Sequence, residues 1–254
     1  MWPACWTSEW PSPVPQASRD LVAPEICRPY LLALVGSVLI DLLLRLQIVY
    51  YYVVEHYKAR IYLSILGDLL QIFYAVLLLI FLYLVLFRWL PDLRQGRLIQ
   101  RRLMRSLGLL ASLQLLTNMI SVNVTIYRLH IESYELLIES FALYIAINLV
   151  FVFWYWYWDY PLRNLSTSDS KNRLIPQGIL FPEEQMEAHL LKTDFWLPGP
   201  TDYLYFTILS SNCFGSPEGH MLIGNRLKKL QIIHTLFMIF VFIIIVARAI
   251  NTIN

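Results

Sequence analysis

Residues 200–254 decide the fold and read PTDYLYFTILSSNCFGSPEGHMLIGNRLKKLQIIHTLFMIFVFIIIVARAINTIN. The segment DYLYFTILSS predicts a helix with an N-cap from Thr201 and Asp202, too short to cross a bilayer. The turn NCFGSPEG breaks regular structure at Gly215, Pro217 and Gly219. The run LQIIHTLFMIFVFIIIVARAI is long enough to span. Irregular backbone at membrane depth is tolerated only when it is buried in protein or lines water, so this order predicts a re-entrant pore loop.

The same residues carry a family resemblance. Their order resembles the pore module of tetrameric potassium-type channels, with a pore helix, a selectivity turn and an inner helix. It is also similar to a group of bacterial pore-loop membrane proteins with a D-Y-L-Y-x-S/T pore helix, an F-S-P turn and an A-R-A-x-N ending. The matching stretches are DYLYFT at 202–207, FGSP at 214–217 and ARAIN at 247–251. The resemblance covers the last quarter of the chain and implies a homotetramer in a bacterial inner membrane.

The turn departs from a potassium filter. Such a filter reads T-V-G-Y-G-D and supplies a ladder of carbonyl oxygens that replaces the ion's water shell. Residues 211–218 instead read SNCFGSPE, with one glycine and one proline. The resemblance therefore implies a pore without potassium selectivity, and we expect a cation-permeable pore of low selectivity.

Composition sets the class of protein. Hydrophobic residues make up 57% of the chain and charged residues 15%, which is typical of an integral membrane protein. The net charge of +2 is too small to indicate binding to a nucleic acid polymer. The three cysteines have no metal-binding or disulfide spacing, so we expect no metal and no cofactor.

The whole chain is predicted to be an all-α integral membrane protein. Four peripheral transmembrane helices are expected within 30–160, at 30–54, 61–87, 107–126 and 136–158. The other regions are a Trp/Pro-rich segment at 1–29, a polar collar at 161–199 and the pore module at 200–254, where one pore-lining transmembrane helix follows the re-entrant pore helix and turn. The run FWYWYWDYP at 153–161 predicts an aromatic belt at a membrane boundary.

Polar residues inside the predicted spans indicate internal contacts. Asp41 and Arg45 lie one helical turn apart and are predicted to neutralise each other; a role in a conduction path or gating contact is the alternative. Gln114 and Asn118 share one face of the third span, where we expect interhelical hydrogen bonds.

Arginines between the second and third spans predict topology. This group comprises Arg94, Arg97, Arg101, Arg102 and Arg105. Such clusters stay cytoplasmic and contact anionic lipid; a binding site for a small anionic ligand such as a nucleotide is the alternative, because guanidinium groups grip phosphate. A cytoplasmic arginine loop puts the amino terminus and the pore-loop entrance in the cytoplasm as well. That orientation is opposite to a potassium channel's.

The predicted filter surrounds the turn and comprises Thr207, Ser210, Ser211, Asn212, Cys213, Phe214, Gly215, Ser216 and Glu218. A ring of Glu218 carboxylates favours cations. Phe214 is expected to pack behind the turn, or else to project inward as a hydrophobic gate. On the last helix, His234, Thr235 and Phe237 are candidate pore-lining or gate residues; for His234 we expect a hydrogen bond to a neighbour, and a role as a proton sensor is the alternative.

The amino-terminal segment offers a candidate plug. Trp2, Trp6 and Trp10 share one face if the segment is helical and would then occlude a pore mouth. The alternative is an interfacial tail whose tryptophans lie at lipid headgroups, which the many prolines favour.

The function expected from these observations is an oligomeric ion channel, because one pore loop cannot enclose a path by itself. The expected partners are further copies of the chain, four in all, together with membrane lipid and ions. A gate controlled by an anionic ligand would suit a membrane-depolarising defence effector. A non-conducting receptor or scaffold with a vestigial pore module is the other hypothesis. No paired acid and base, nucleophile elbow or phosphate-binding loop predicts an enzyme.

Overall fold

The computed structural model describes residues 24–55, 62–89, 97–126, 133–166, 178–185 and 197–253, and side chains over parts of these ranges. Its elements in chain order are α1 (Pro24–Glu55), α2 (Tyr62–Trp89), α3 (Arg97–Ile126), α4 (Ser133–Ser166), β1 (Ile179–Leu180), a 3₁₀ turn (Pro182–Gln185), α5 (Pro200–Cys213), β2 (Met221–Leu222) and α6 (Asn225–Ile253). The described part of the chain is therefore predominantly helical.

Four of these helices contain a stretch long and apolar enough to cross a membrane. The stretches are Cys27–Leu46, Arg102–Ile120, Leu137–Pro161 and Asn225–Val246. In α2 the apolar stretch within the described residues is Ile72–Val85, which is shorter. These lengths support membrane association, as the composition predicts.

Helix α4 lies at the centre of the fold. It packs against α1, α3, α5 and α6, whereas α2 packs mainly on α3. Gly108 of α3 faces the Phe153 ring so closely that a side chain there would collide with it. Small residues of this kind let membrane helices approach each other, so α3 and α4 come into close contact.

The aromatic run of α4 forms the core and does not face outward. Trp154, Tyr155, Trp156 and Tyr157 are all buried, which differs from the expected belt at a membrane boundary. The Trp156 ring stacks on Tyr30 of α1 with centroids 4.2 Å apart. The rings turn inward because α1, α3, α5 and α6 surround this part of α4, and burial against other helices outweighs an interfacial position.

Two short strands tie the collar to the segment before α6. β1 and β2 pair antiparallel, with Ile179 opposite Leu222 and Leu180 opposite Met221. The Ile223 amide also donates to the Gly178 carbonyl oxygen at 2.8 Å. This ladder was not predicted, because two-residue strands have no periodicity to detect.

Helix α5 begins two residues earlier than expected. Pro200 is its first residue and Gly199 is the N-cap, so Thr201 is not the cap. The Asp202 carboxylate accepts the Gly199 backbone N–H at 2.7 Å. Since Gly199 has no side chain to return a bond, only this half of a capping box exists, and proline at the first position favours the start.

Candidate functional site

The first turn of α5 lies beside the carboxyl end of α4. The Tyr203 hydroxyl donates to Asp159 Oδ2 at 2.5 Å, and both side chains are buried. Asp159 Oδ1 accepts the backbone N–H of Ile179 at 2.6 Å. Gly178 is packed so closely against that carboxylate that any side chain would collide with it. One carboxylate thus joins the end of α4, the collar and the start of α5.

The last turn of α5 lies beside the middle of two apolar stretches. Ser211 Oγ is 2.7 Å from Asn148 Oδ1 and 3.0 Å from His234 Nε2. Asn148 lies near the middle of Leu137–Pro161, and His234 near the middle of Asn225–Val246. Helix α5 has 14 residues and is about 21 Å long, against about 30 Å for a hydrocarbon core. It therefore runs alongside α4 from the end of that stretch to its middle.

After the turn, the chain returns to the end where α5 began. His220 lies against the Phe181 ring at 5.4 Å between centroids. The guanidinium of Arg226, at the start of α6, lies over the Trp158 ring at 5.3 Å. Trp158 is adjacent to Asp159, so the start of α5, the end of the turn and the start of α6 share one end of α4.

Hydrogen bonds set a direction at Ser211. Asn148 Nδ2 donates to the Tyr144 carbonyl oxygen at 2.8 Å, which orients Asn148 Oδ1 toward Ser211. A hydroxyl carries one proton. Ser211 Oγ has two acceptors within hydrogen-bond distance, Asn148 Oδ1 and the Thr207 carbonyl oxygen at 3.0 Å, so we assign its proton to these acceptors and the donor role to His234 Nε2.

The other ring nitrogen of His234 faces Tyr155. The Tyr155 hydroxyl is 3.3 Å from His234 Nδ1 and 2.6 Å from Gln231 Oε1. Gln231 Nε2 has no partner in this orientation. A half rotation of the amide, which exchanges its oxygen and nitrogen, lets Gln231 donate to Tyr155 and Tyr155 donate to the neutral imidazole. We call these five residues, Asn148, Tyr155, Ser211, Gln231 and His234, the α4–α6 network.

The predicted filter residues divide into a buried set and an exposed set. Thr207, Ser210 and Ser211 of α5 are buried inside the subunit. Gly215 is partly buried, and the exposed residues are Asn212, Cys213, Phe214, Ser216 and Glu218. The exposed set is the part of the prediction that the fold leaves open to solvent or to other subunits.

Phe214 ends α5 in an unusual backbone conformation. Its φ of 52° lies in the left-handed region, which costs a residue with a Cβ roughly 1 kcal/mol or more. Its ring meets Phe242 of α6 edge-on at 6.2 Å between centroids. The side chain is nevertheless 44% exposed, so this contact covers only one side of the ring.

The candidate pore-lining residues of α6 lie in different environments. His234 has no exposed surface in the subunit and stacks on the Phe151 ring at 4.2 Å between centroids, as expected for a histidine bonded to neighbours. Thr235 and Phe237 are partly buried, and the Phe237 ring meets Phe151 edge-on. We therefore assign His234 to the α4–α6 network, because a side chain without exposed surface does not line a path.

A second set of buried polar side chains lies between α1, α2 and α3. Asp41 accepts from Asn118 Nδ2 at 3.3 Å, and Asn118 Nδ2 also donates to the Asp41 carbonyl oxygen at 2.9 Å. The Arg45 guanidinium lies over the Tyr74 ring at 5.4 Å. Gln114 is buried one turn from Asn118 on the same face of α3. We call these five residues the α1–α3 cluster.

The predicted neutralisation of Asp41 by Arg45 stays a prediction, and the structure gives each side chain a different contact. Within the described residues the carboxylate turns toward α3 and the guanidinium toward α2, and Asp41 Oδ2 and Arg45 Nε have no hydrogen-bond partner. Asn118 binds the Asp41 carboxyl group, and the Tyr74 ring attracts the Arg45 cation. The expected interhelical bond from Asn118 is present.

The other predicted residues lie near the ends of the described ranges or outside them. Arg102 and Arg105 are exposed at the start of the apolar stretch of α3. Arg97 and Arg101 belong to α3, but their side chains are outside the described residues, as are Arg94 and the predicted plug residues Trp2, Trp6 and Trp10. Within the described residues, no group of three His, Cys, Asp or Glu side chains could hold a metal ion.

Sequence reasoning missed several members of the site. Tyr155 and Asp159 were treated only as parts of an aromatic belt, although a carboxylate inside such a run is itself a sign of an internal partner. Gln231 lies three residues before His234 and so on the same face of α6, a spacing that could have linked the two.

Comparison with known proteins adds no relative: no family model, no curated protein and no solved structure matches this chain.

Proposed function

We propose that this chain is the subunit of an oligomeric, cation-permeable ion channel, in which the turn after α5 lines the path. The carrying observation is the placement of α5, whose first turn lies at the end of α4 and whose last turn lies at the middle of α4 and α6. In a membrane, this placement puts the exposed polar residues of the turn at the depth of the hydrocarbon core. Lipid does not solvate such backbone and side chains, so water or other subunits must surround them.

Oligomerisation follows from the same exposure. Asn212, Cys213, Ser216 and Glu218 are exposed in one copy, and a single turn does not enclose a path. Identical subunits close most simply around a rotation axis. Four copies is the number implied by the resemblance to potassium-type channels. Much of α6 is also exposed and apolar, including Ile232, Leu236 and Ile243, which suits contact with lipid or with neighbouring subunits.

The α4–α6 network supports this role by positioning the turn. Ser211 lies one residue before the exposed Asn212, whose Oδ1 accepts the Tyr144 hydroxyl at 3.1 Å. The buried chain from Gln231 to Asn148 therefore fixes the end of α5 from behind. A constriction that must hold its polar groups in place benefits from such support.

Cation preference is proposed to come from Glu218. Its side chain is exposed in the return segment, and four copies would form a carboxylate ring at the mouth. The proposal keeps the orientation expected from the arginines, with the amino terminus and the pore mouth in the cytoplasm. Arg102 and Arg105 then lie where cytoplasmic lipid headgroups or a small anionic ligand would reach them.

Block of ion flux by chemical modification of Cys213 tests whether the turn lines the path. The full chain, with Cys5→Ser to remove a thiol elsewhere, is reconstituted in liposomes that carry a potassium gradient. We expect cation flux that a small, charged, thiol-reactive reagent blocks, because Cys213 is exposed in the turn whereas Cys27 is buried. The matched control Cys213→Ser keeps the flux and loses the block. A reagent that binds Cys213 without reducing flux would contradict the proposed path.

Selectivity is tested in the same liposomes. Glu218→Gln is expected to shift the reversal potential in a salt gradient toward zero, and Glu218→Asp, which keeps the charge, is expected to leave it nearly unchanged. Cross-linking gives the number of subunits. Monomers without flux would favour the alternative, a non-conducting membrane scaffold with a vestigial pore module.

A further inference from the structure

The α1–α3 cluster contains buried polar atoms that the protein itself does not satisfy. They are Asp41 Oδ2, Arg45 Nε, Arg45 Nη2, Tyr74 Oη, Gln114 Nε2, Gln114 Oε1 and Asn118 Oδ1. Asp41, Gln114 and Asn118 have no exposed surface. Leaving such groups unbonded costs roughly 1–3 kcal/mol each, so the seven atoms indicate a bound ligand.

The chemistry of these atoms selects the ligand. Arg45 Nε, Arg45 Nη2 and Gln114 Nε2 are donors; Asp41 Oδ2, Gln114 Oε1 and Asn118 Oδ1 are acceptors. The Tyr74 hydroxyl is both. A metal cation would satisfy only the acceptors and an anion only the donors. A ligand that donates and accepts in equal measure satisfies both sets.

The Arg45 and Asp41 side chains favour the same kind of ligand, one that both donates and accepts hydrogen bonds. The Arg45 guanidinium stays protonated in proteins, and Asp41 precedes it by one helical turn. The Asp41 carboxyl group has its protein partner on α3 and the Arg45 guanidinium lies over a ring of α2, so a molecule that contacts both must accept from the guanidinium and donate to Asp41 Oδ2.

We propose that α1, α2 and α3 enclose a bound-water site in which water joins Asp41 to Arg45 and hydrates Gln114, Asn118 and Tyr74. A buried water makes about three hydrogen bonds, so two or three molecules suffice for these atoms. The site is separate from the proposed pore, because it lies on helices other than α5 and α6. It hydrates the Asp41 and Arg45 side chains within the peripheral helices.

Radiolytic labelling of the full chain in lipid nanodiscs tests the site. Hydroxyl radicals formed from bound water oxidise the side chains that touch it. Tyr74 and Tyr30 are the matched pair, since they are 3% and 2% exposed, and Tyr30 is stacked on Trp156. We expect Tyr74 to be oxidised several-fold faster than Tyr30. Equal rates would overturn the proposal.

Two further measurements separate water from the alternatives. The double variant Gln114→Leu/Asn118→Leu is expected to lower Tyr74 oxidation toward the rate of Tyr30, whereas Leu109→Met, at an exposed position of α3, leaves it unchanged. Oxidation of Tyr74 is also expected to be the same in sodium, potassium and choline chloride and in sodium gluconate at equal ionic strength. A rate that falls with one particular ion would mean that this ion occupies the site, and the proposal would then be wrong.

Discussion

The α4–α6 network and the α1–α3 cluster are both buried polar groups inside apolar helices, yet they are organised in opposite ways. In the network, Ser211 and His234 each have polar partners at hydrogen-bond distance from neighbouring helices. In the cluster, Asp41 Oδ2, Arg45 Nε and both amide atoms of Gln114 have no hydrogen-bond partner from the protein.

The difference indicates what each region does. Hydrogen bonds between helices hold Asn148, Ser211 and His234 in one arrangement, which would suit support of the turn after α5, although one amide atom of Gln231 has no protein partner. Polar atoms that need a ligand make their region depend on what enters it. The stability of the network should therefore follow individual hydrogen bonds, whereas the stability of the cluster should follow net charge.

The largest expected effect tests the charge of the cluster. Asp41→Leu leaves the Arg45 cation buried without a carboxylate and is expected to lower the free energy of unfolding by about 3 kcal/mol. The double variant Asp41→Leu/Arg45→Leu removes both charges and should return to within about 1 kcal/mol of the parent protein. Reversible unfolding in mixed micelles measures both variants. A double variant less stable than the single one would break the comparison.

The next effect concerns the anchor at the end of α4. Asp159→Ala removes the acceptor of the Tyr203 hydroxyl and of the Ile179 amide and should cost about 2–3 kcal/mol. Asp159→Asn keeps one acceptor oxygen and should lose less. The same unfolding measurement applies, with protease accessibility of the collar as a second readout. Loss of stability without exposure of the collar would contradict the anchoring role.

A smaller effect is expected at the centre of the network. His234→Leu removes the bonds to Ser211 and Tyr155, and interhelical hydrogen bonds in membranes contribute about 0.6 kcal/mol on average, so we expect a loss of about 1–2 kcal/mol. In liposomes, the variant should also alter flux, because Ser211 precedes the turn. Ile232→Leu, on an exposed face of the same helix, is the matched control. Unchanged flux would separate the network from the turn.

The smallest effect is expected at Gln114. Its amide has no protein partner, so Gln114→Leu should change the free energy of unfolding by no more than about 0.5 kcal/mol. A comparison with His234→Leu shows whether the loss in the free energy of unfolding at a buried polar side chain depends on its hydrogen-bond partners in the protein. Equal losses at both positions would mean that the contrast between network and cluster is wrong.

The sequence predicted more of the architecture than of the site. Long apolar runs make the membrane class and the helices visible, because length and hydropathy are local properties. The order of a short helix, a turn and a long helix within residues 200–254 could also be predicted from the sequence. The hydrogen bond between Asn148 and Ser211 joins residues that are far apart in the chain. The sequence around either residue does not indicate which residue it contacts.

Two expectations concern contacts that neighbouring helices decide. The aromatic run of α4 has the composition of an interfacial belt, but four neighbouring helices bury it. Asp41 and Arg45 have the spacing of an ion pair, but their rotamers follow Asn118 and Tyr74. The spacing of residues along one helix predicts which side chains share a face. It does not predict which residues of a neighbouring helix contact that face.

By itself, the sequence determined a predominantly helical chain with helices long and apolar enough to span a membrane, and a polar turn between a short helix and a long one, because hydropathy, helix length and turn-forming residues act within a few residues of one another. Only the tertiary structure decided that α5 ends beside the middle of α4 and that Ser211 contacts His234. It also decided that Asp41 contacts Asn118 and that Arg45 contacts Tyr74. Those outcomes depend on which helix faces surround each side chain, and packing settles them only after the helices have assembled.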